Sequence, residues 1–145
     1  MPNSSQSAMT TRSGLCRKAA VANPNLGTAP GVNVQVAKDQ RVHPIRVNPG
    51  VNRGYQKGQL TEDGKLRTFT AACGPLVYRG DALPDEYRGN AFVCEPAGNL
   101  VKRDVLSEKD GWVTATDPDP AREFLASTDE RFRPVNLFDG PDGGL

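Results

Sequence analysis

Turn signals recur at short, regular intervals through the last 85 residues of the chain and separate runs of apolar residues. These signals are Asp63-Gly64, Gly74-Pro75, Gly89, Gly98-Asn99 and Asp110-Gly111. The runs between them are candidate strands at 65–71, 76–79, 90–95, 100–106 and 112–116, so a new strand begins every 10 to 14 residues. Because this spacing leaves no room for a helix between successive strands, it predicts an antiparallel meander rather than alternating β-α units.

Glycine and proline are abundant, with 15 and 12 residues among 145, which supports a fold rich in turns and poor in helices. The formal net charge is +1, so no general electrostatic field attracts nucleic acid or an anionic membrane surface. No apolar run approaches the ~18 residues that a membrane-spanning helix needs. We therefore expect neither a nucleic-acid partner nor a membrane span.

The chain divides into three stretches by composition. Residues 1–14 are rich in serine, threonine and asparagine without apolar periodicity, and we expect a disordered leader there. Residues 15–60 are irregular and rich in loops, with one alternating strand pattern at 32–36. Residues 61–145 contain the candidate strands described above.

The turn sequence Gly-Pro-Asp-Gly at 140–143 resembles the hairpin between neighbouring strands of a β-propeller blade. A blade takes roughly 40 to 50 residues and a ring needs roughly four to eight blades, so this chain holds two to three blades and does not close a ring. We therefore predict an all-β fold, a partial β-propeller truncated at the C-terminus. A small self-contained β-sandwich or barrel is the alternative.

Four long motifs carry a resemblance to a known family: NPGVNRGY, ACGPLVYRG, FVCEPAGNLVKR and FLASTDERFRPVN. Over residues 15–145 the chain resembles the β-propeller of the PVC-type haem-binding proteins of planctomycetes, also called membrane-bound dehydrogenase domain proteins. That propeller is related to the one in quinoprotein sugar dehydrogenases. The resemblance implies that this chain is a fragment of a larger, dehydrogenase-like propeller.

The same resemblance implies oxidation of a sugar or polyol in the full-length protein, with electrons passed to a separate carrier such as a cytochrome c-type acceptor. It also implies pyrroloquinoline quinone and calcium as cofactors, and export to the periplasm. The start of the chain does not have the layout of a secretory signal and no CxxCH motif is present, so haem binding is not expected here. Two alternatives stay open: a non-catalytic propeller that binds glycan or protein, and an inactive truncated chain.

His43 is the only histidine of the chain and a candidate catalytic base. Oxidation of an alcohol needs a base near neutrality that takes the hydroxyl proton while hydride leaves, and histidine titrates in this range. No carboxylate stands at a spacing that plainly orients the ring. The alternative is a surface or packing histidine between Val42 and Pro44.

Candidate ligand-binding residues follow on a loop stiffened by proline: Arg46, Asn48, Asn52 and Arg53. Their side chains offer directed hydrogen-bond donors to an anionic or polyhydroxyl ligand. Arg79, Glu95 and Arg133 lie at or beside strand ends, where the side chains of a propeller reach the mouth of the funnel. In the alternative, the asparagines cap turns and the arginines bridge neighbouring blades.

The charged residues 102–104 are expected to form a mixed-charge outer strand. Asp117, Asp119 and Asp129 lack the spacing and the terminal glutamate of a calcium-binding loop, so we expect solvated turn residues and predict no metal site. Trp112 is expected to pack within a blade rather than to stack on a sugar.

The three cysteines, Cys16, Cys73 and Cys94, are too far apart for a CxxC metal or redox motif. If the strand at 76–79 pairs with the strand at 90–95, a simple antiparallel register places Cys94 within about two positions of Cys73. The two residues are therefore a candidate disulfide in an oxidising compartment. The alternative is a pair of buried or half-buried free thiols.

Overall fold

The computed structural model of the protein describes residues 36–47 and 58–145. Five β-strands lie in these ranges: β1 (Cys73–Val77), β2 (Ala91–Glu95), β3 (Leu100–Lys109), β4 (Trp112–Thr116) and β5 (Leu125–Ala126). Helix in the described residues is limited to one 3-10 turn at Asp85–Tyr87, which is far too short to cross a bilayer. The predicted leader and most of the segment at 15–60 lie outside the described residues.

The strands form an antiparallel sheet with the order β1-β2-β3-β4, and β5 also pairs with β3. Consecutive strands are neighbours in this order, which is the meander that the turn spacing predicts. The sheet is open rather than closed on itself. These features confirm the all-β prediction, and an open antiparallel meander is the arrangement of a partial propeller.

The segment at 65–71, which was predicted to be a strand, does not form one. It makes only isolated β-bridges, from Thr68 to Arg41 and from Leu66 to Leu60. The backbone N–H groups of Thr70 and Ala71 donate to Oε2 of Glu95, each at 2.8 Å, and are not used in a strand ladder. The other carboxylate oxygen of Glu95 accepts the N–H of Ala97 at 3.0 Å. Glu95 is fully buried, so it organises the fold and does not face an open funnel.

Both faces of the sheet are covered at β2, since all five residues of this strand are buried. The Leu100 face packs against chain from 36–47 and 58–72 through Val42, Leu66, Phe69, Val93, Ala97 and Leu100. The opposite face, called here the Phe92 face, carries Tyr78, Phe92, Cys94 and Val101. Because side chains alternate along a strand, Lys102 and Asp104 share the Leu100 face, whereas Arg103 shares the Phe92 face.

Asn99 joins the β2-β3 hairpin to the chain that follows β5. It is 1% exposed, and its Nδ2 group donates to the backbone oxygens of Asp129, Glu130 and Phe132 at 3.3, 3.4 and 2.8 Å. Its φ of 55° lies in the left-handed region, which asparagine and aspartate tolerate better than most residues. Asp110, in the next hairpin, has a similar φ of 52° but is exposed.

Replacing Asn99 with alanine is expected to lower the free energy of unfolding by about 3 kcal/mol, because the variant loses buried hydrogen bonds and strains a left-handed backbone. Asp110→Ala is the matched control. It brings the same strain at an exposed turn, with an expected loss of about 1 kcal/mol. Urea denaturation followed by circular dichroism measures both values, and equal losses would contradict the role assigned to the buried amide.

Candidate functional site

The pairing of β3 is interrupted in its middle, on the side of β4 and β5. β4 pairs with β3 from Val105 onward, and β5 pairs with it up to Val101. Among the described strands, residues 102–104 therefore have a partner only on the other side, where β2 lies. The chain from 117 to 124, called here the gap loop, connects β4 to β5 across this interruption.

A cleft of about 280 Å³ lies beside the gap loop and is lined by Tyr87, Arg103, Asp117, Pro118, Asp119, Arg122, Glu123 and Phe124. The guanidinium carbon of Arg103 stands 4.2 Å from the centre of the Tyr87 ring, a cation–π contact. The Phe124 ring packs edge-on against the rings of Tyr87 and Phe92, with ring centres 5.7 and 4.8 Å apart. Tyr87 and Phe124 thus form an aromatic wall beside charged side chains.

A buried ion pair lies where the pairing of β3 is interrupted. The side chain of Lys102 is 1% exposed, and its Nζ binds Oδ2 of Asp117, whose side chain is 6% exposed. The other oxygen of Asp117 accepts the N–H of Asp119 at 2.8 Å, which fixes the start of the gap loop. Asp104 is buried nearby on the same face as Lys102. Burial raises the pKa of Asp104 to about 6, although the charge of Lys102 acts in the opposite direction.

Glu123 lies at the other end of the gap loop and lines the cleft. Its Oε1 accepts the backbone N–H of His43 at 2.6 Å, whereas its Oε2 is buried and has no hydrogen-bond partner within the described structure. Burial raises the pKa of Glu123 to about 7, and the charge of Lys102 opposes this shift. A carboxyl group with this pKa exchanges a proton near neutrality, as a general base or acid requires.

The structure brings His43 to this cluster, but through its backbone. Burial lowers the pKa of the His43 imidazole below 6.5, and the charge of Lys102 acts in the same direction, so the ring is neutral near pH 7. Its Nε2 is buried and lacks a partner within the described residues. His43 does not line the cleft. Its catalytic role stays a prediction, whereas Glu123 does line the cleft.

Of the other predicted site residues, the three that the structure describes, Arg46, Arg79 and Arg133, are not part of the cleft lining. Arg46 forms an ion pair with Glu130 at 3.0 Å and donates to Asn99 Oδ1 at 3.4 Å, which are structural contacts. Arg79 and Arg133 are exposed, and Nε of Arg133 donates to the backbone oxygen of Glu130 at 3.0 Å. Asn48, Asn52 and Arg53 lie outside the described residues. Ligand contact by these six arginines and asparagines stays a prediction.

The sequence did not predict that Lys102, Asp104 and Asp117 would be buried together where the pairing of β3 is interrupted. Residues 102–104 form the middle of the central strand β3, and Lys102 and Asp104 are buried, so the expectation of an outer strand is wrong. A signal was present: the charges interrupt an apolar run that begins at Leu100, and alternation puts Lys102 and Asp104 on the side of that buried leucine. Asp117, expected to be a solvated turn residue, neutralises Lys102 instead.

The quinone implied by the family resemblance does not fit this cleft. In the lining, Asp117 is balanced by Lys102 and Asp119 by Arg122, the latter pair at 3.1 Å. Glu123 and Arg103 remain, so the cleft has no net positive charge for a ligand with three carboxylates. Nor do the described residues include a group of three or more potential metal ligands. We therefore derive no chemistry through a quinone at this position.

The stability of the protein is expected to fall as pH rises from about 5 to about 7. The folded pKa of Glu123 is about 7, above its usual 4.5, so the folded protein holds a proton that the unfolded chain releases earlier. Asp104, with its pKa of about 6, acts in the same direction. The Glu123→Gln variant lacks one of these groups. Between about pH 5 and pH 8 its free energy of unfolding is therefore expected to fall by about 1–3 kcal/mol less than that of the wild type.

Glu108→Gln is the control for this measurement, because Glu108 is an exposed glutamate on the same strand as Lys102. Urea unfolding at a series of pH values gives the three profiles. Parallel profiles for the wild type and Glu123→Gln would show that this carboxyl group does not titrate near neutrality.

Comparison with known proteins gives a family but no relative of known activity. No curated protein and no solved structure matches the chain. A family model described as a domain of unknown function, DUF7133, matches residues 2–145. Since this match spans almost the whole sequence, the chain belongs to the DUF7133 family.

Proposed function

We propose that the cleft beside the gap loop binds one unit of a sugar or other polyol, as part of a dehydrogenase-like propeller that oxidises it. One observation carries the proposal: Glu123 lines the cleft, one of its carboxylate oxygens is buried without a partner in the described structure, and the group has a pKa of about 7. A substrate hydroxyl is a partner that can donate to this oxygen and then lose its proton to it.

Arg103 supplies a second unsatisfied group in the same cleft. Its Nε is buried and has no hydrogen-bond acceptor among the described residues. Buried polar groups without partners are rare in folded proteins and call for an explanation such as a bound molecule. An arginine donor beside a carboxylate acceptor matches neighbouring hydroxyl groups, because each hydroxyl both donates and accepts.

The aromatic wall and the size of the cleft support the same ligand class. Tyr87 and Phe124 offer apolar surface to the C–H face of a sugar ring, while the charged groups of the same lining can bind its hydroxyls. A volume of about 280 Å³ lies just below the range of ligand pockets, which is roughly 300–1,000 Å³. The cleft therefore suits a single ring or a short polyol.

In the oxidation we propose, the O–H bond of the bound alcohol breaks and its proton passes to Oε2 of Glu123. The carbon that carries this hydroxyl also loses a hydride, and this step needs a two-electron acceptor, such as a quinone, held outside the cleft. The cytochrome c-type carrier that the family resemblance implies would then take the electrons from that acceptor one at a time. The residues of the cleft position the alcohol and hold the proton. They do not hold the electron acceptor.

A non-catalytic binding module is the second candidate function. The charge balance of the cleft favours it, since the lining leaves no excess of cations for an anionic quinone. Both candidates use the same cleft and predict binding of a polyol, and they differ in whether turnover follows.

Titration calorimetry with a panel of monosaccharides and linear polyols is expected to find a ligand with a Kd of about 1 mM. Arg103→Lys keeps the positive charge but loses the Nε donor, so its affinity falls about tenfold. Arg131→Lys, an exposed arginine outside the cleft, is the matched control and binds as the wild type does. Absence of binding by every polyol, or equal affinity of both variants, contradicts the proposed site.

Turnover is tested with the ligand so identified, an electron-accepting dye, and quinone with calcium added or omitted. If the protein is a dehydrogenase, the rate rises with pH through about 7, because a base acts in its deprotonated form. Glu123→Gln then lowers kcat at least ~100-fold while binding persists, and Glu108→Gln does not. Binding without turnover in the wild type rejects the dehydrogenase and leaves the binding module.

A further inference from the structure

Cys73 and Cys94 stand directly opposite each other on neighbouring strands. They are partners in the antiparallel register of β1 and β2, and both thiols are free in this structure. Directly opposed residues of antiparallel strands have Cα atoms about 4.5–5.5 Å apart, which lies inside the roughly 4.4–6.8 Å range that disulfides span. The backbone is therefore already arranged for a bond between the two sulfur atoms.

We propose that Cys73 and Cys94 form a reversible cross-strand disulfide, a clasp that holds the edge strand β1 on β2. The proposal is independent of the ligand and of the activity proposed above.

The first residues of β1 are the part of the sheet that gains most from such a bond. The register of β1 against β2 is irregular between Cys73 and Leu76, and Gly74 adopts a left-handed φ of 52° there. A bulge of this kind interrupts the ladder of hydrogen bonds and gives the strand local freedom to adjust. The irregularity thus weakens the non-covalent hold on Cys73 and lets its side chain adjust toward Cys94.

The difference in exposure between the two thiols determines which of them reacts first. Cys73 is half-buried, whereas Cys94 is fully buried, so an external disulfide reaches Cys73 first. The Cys73 thiolate attacks one sulfur of a small disulfide, forms a mixed disulfide and releases one thiol. The Cys94 thiolate then attacks the Cys73 sulfur and releases the second thiol. Two protein thiols are oxidised, the external disulfide is reduced to two thiols, and the protein loses two hydrogen atoms.

The surroundings make this exchange slow. Burial raises the pKa of Cys73, and the carboxylate of Glu95 acts in the same direction. Burial also raises the pKa of Cys94 to about 11. Because the thiolate is the attacking species, both cysteines react slowly near neutrality, which suits a structural clasp rather than a catalytic redox centre.

The clasp acts on the same layer of side chains as the aromatic wall of the cleft. Cys94 and Phe92 belong to one buried cluster on the Phe92 face, and the Phe92 ring contacts Phe124. Oxidation fixes β1 beside β2, next to this layer, and reduces the motion of β1.

The test uses the full chain with Cys16→Ser, so that Cys73 and Cys94 are the only thiols. The protein is incubated with glutathione disulfide at about pH 8 and digested without reduction. We expect a peptide pair linked through Cys73 and Cys94, and a Tm about 5–10 °C above that of the same protein after reduction. The comparison uses one protein in two redox states, so a folding defect of a variant does not affect it.

Cys73→Ala in the same background is the control. It leaves one buried thiol, and we expect no change in Tm between oxidising and reducing conditions. Recovery of both cysteines as free thiols after incubation overturns the proposal. Stable glutathione adducts, disulfide-linked dimers, or a linked species whose Tm equals that of the reduced protein overturn it as well.

Discussion

The buried ion pair between Lys102 and Asp117 is the interaction on which the site depends. Two charges removed from water are tolerated only while each neutralises the other, so loss of either partner leaves an uncompensated charge and typically costs about 3–5 kcal/mol. Here the pair also has a geometric effect. Lys102 belongs to the central strand and Asp117 to the first position after β4, so their contact holds the gap loop against the interrupted side of β3. The cleft exists because that loop is fixed there.

The same ammonium group governs the titration of its neighbours. It lowers the pKa of Asp104 and Glu123 against the larger effect of burial, and it adds to the effect of burial on His43. The pKa of Glu123 therefore lies near neutrality because burial raises it and the charge of Lys102 lowers it. Burial and one charged lysine side chain together give a neutral imidazole at His43 and a carboxyl group at Glu123 that titrates near pH 7.

Local sequence signals predicted the elements whose causes are local. The turn at Asp110-Gly111 separates β3 from β4, and the antiparallel pairing of β1 with β2 places Cys73 opposite Cys94, within the two positions expected. The failures have non-local causes. Glu95 takes the backbone donors of a segment about 25 residues earlier, and so prevents a strand that the apolar pattern at 65–71 favours. Likewise, the contact of Glu123 with His43 joins residues 80 positions apart, and no spacing within the chain indicates it.

An interrupted strand in a covered sheet has a particular consequence for binding. Unpaired backbone of a strand ordinarily attracts another strand, and proteins avoid this with prolines, charges or covering loops. The gap loop uses all three: Pro118 and Pro120 lack the N–H group that a ladder needs, and Asp117 and Glu123 place charge at its two ends. Pairing with another strand is thereby disfavoured, but a cleft of about 280 Å³ remains beside the gap loop. What remains is a small recess next to the central strand, with two buried polar atoms, Nε of Arg103 and Oε2 of Glu123, that have no hydrogen-bond partner in the described structure.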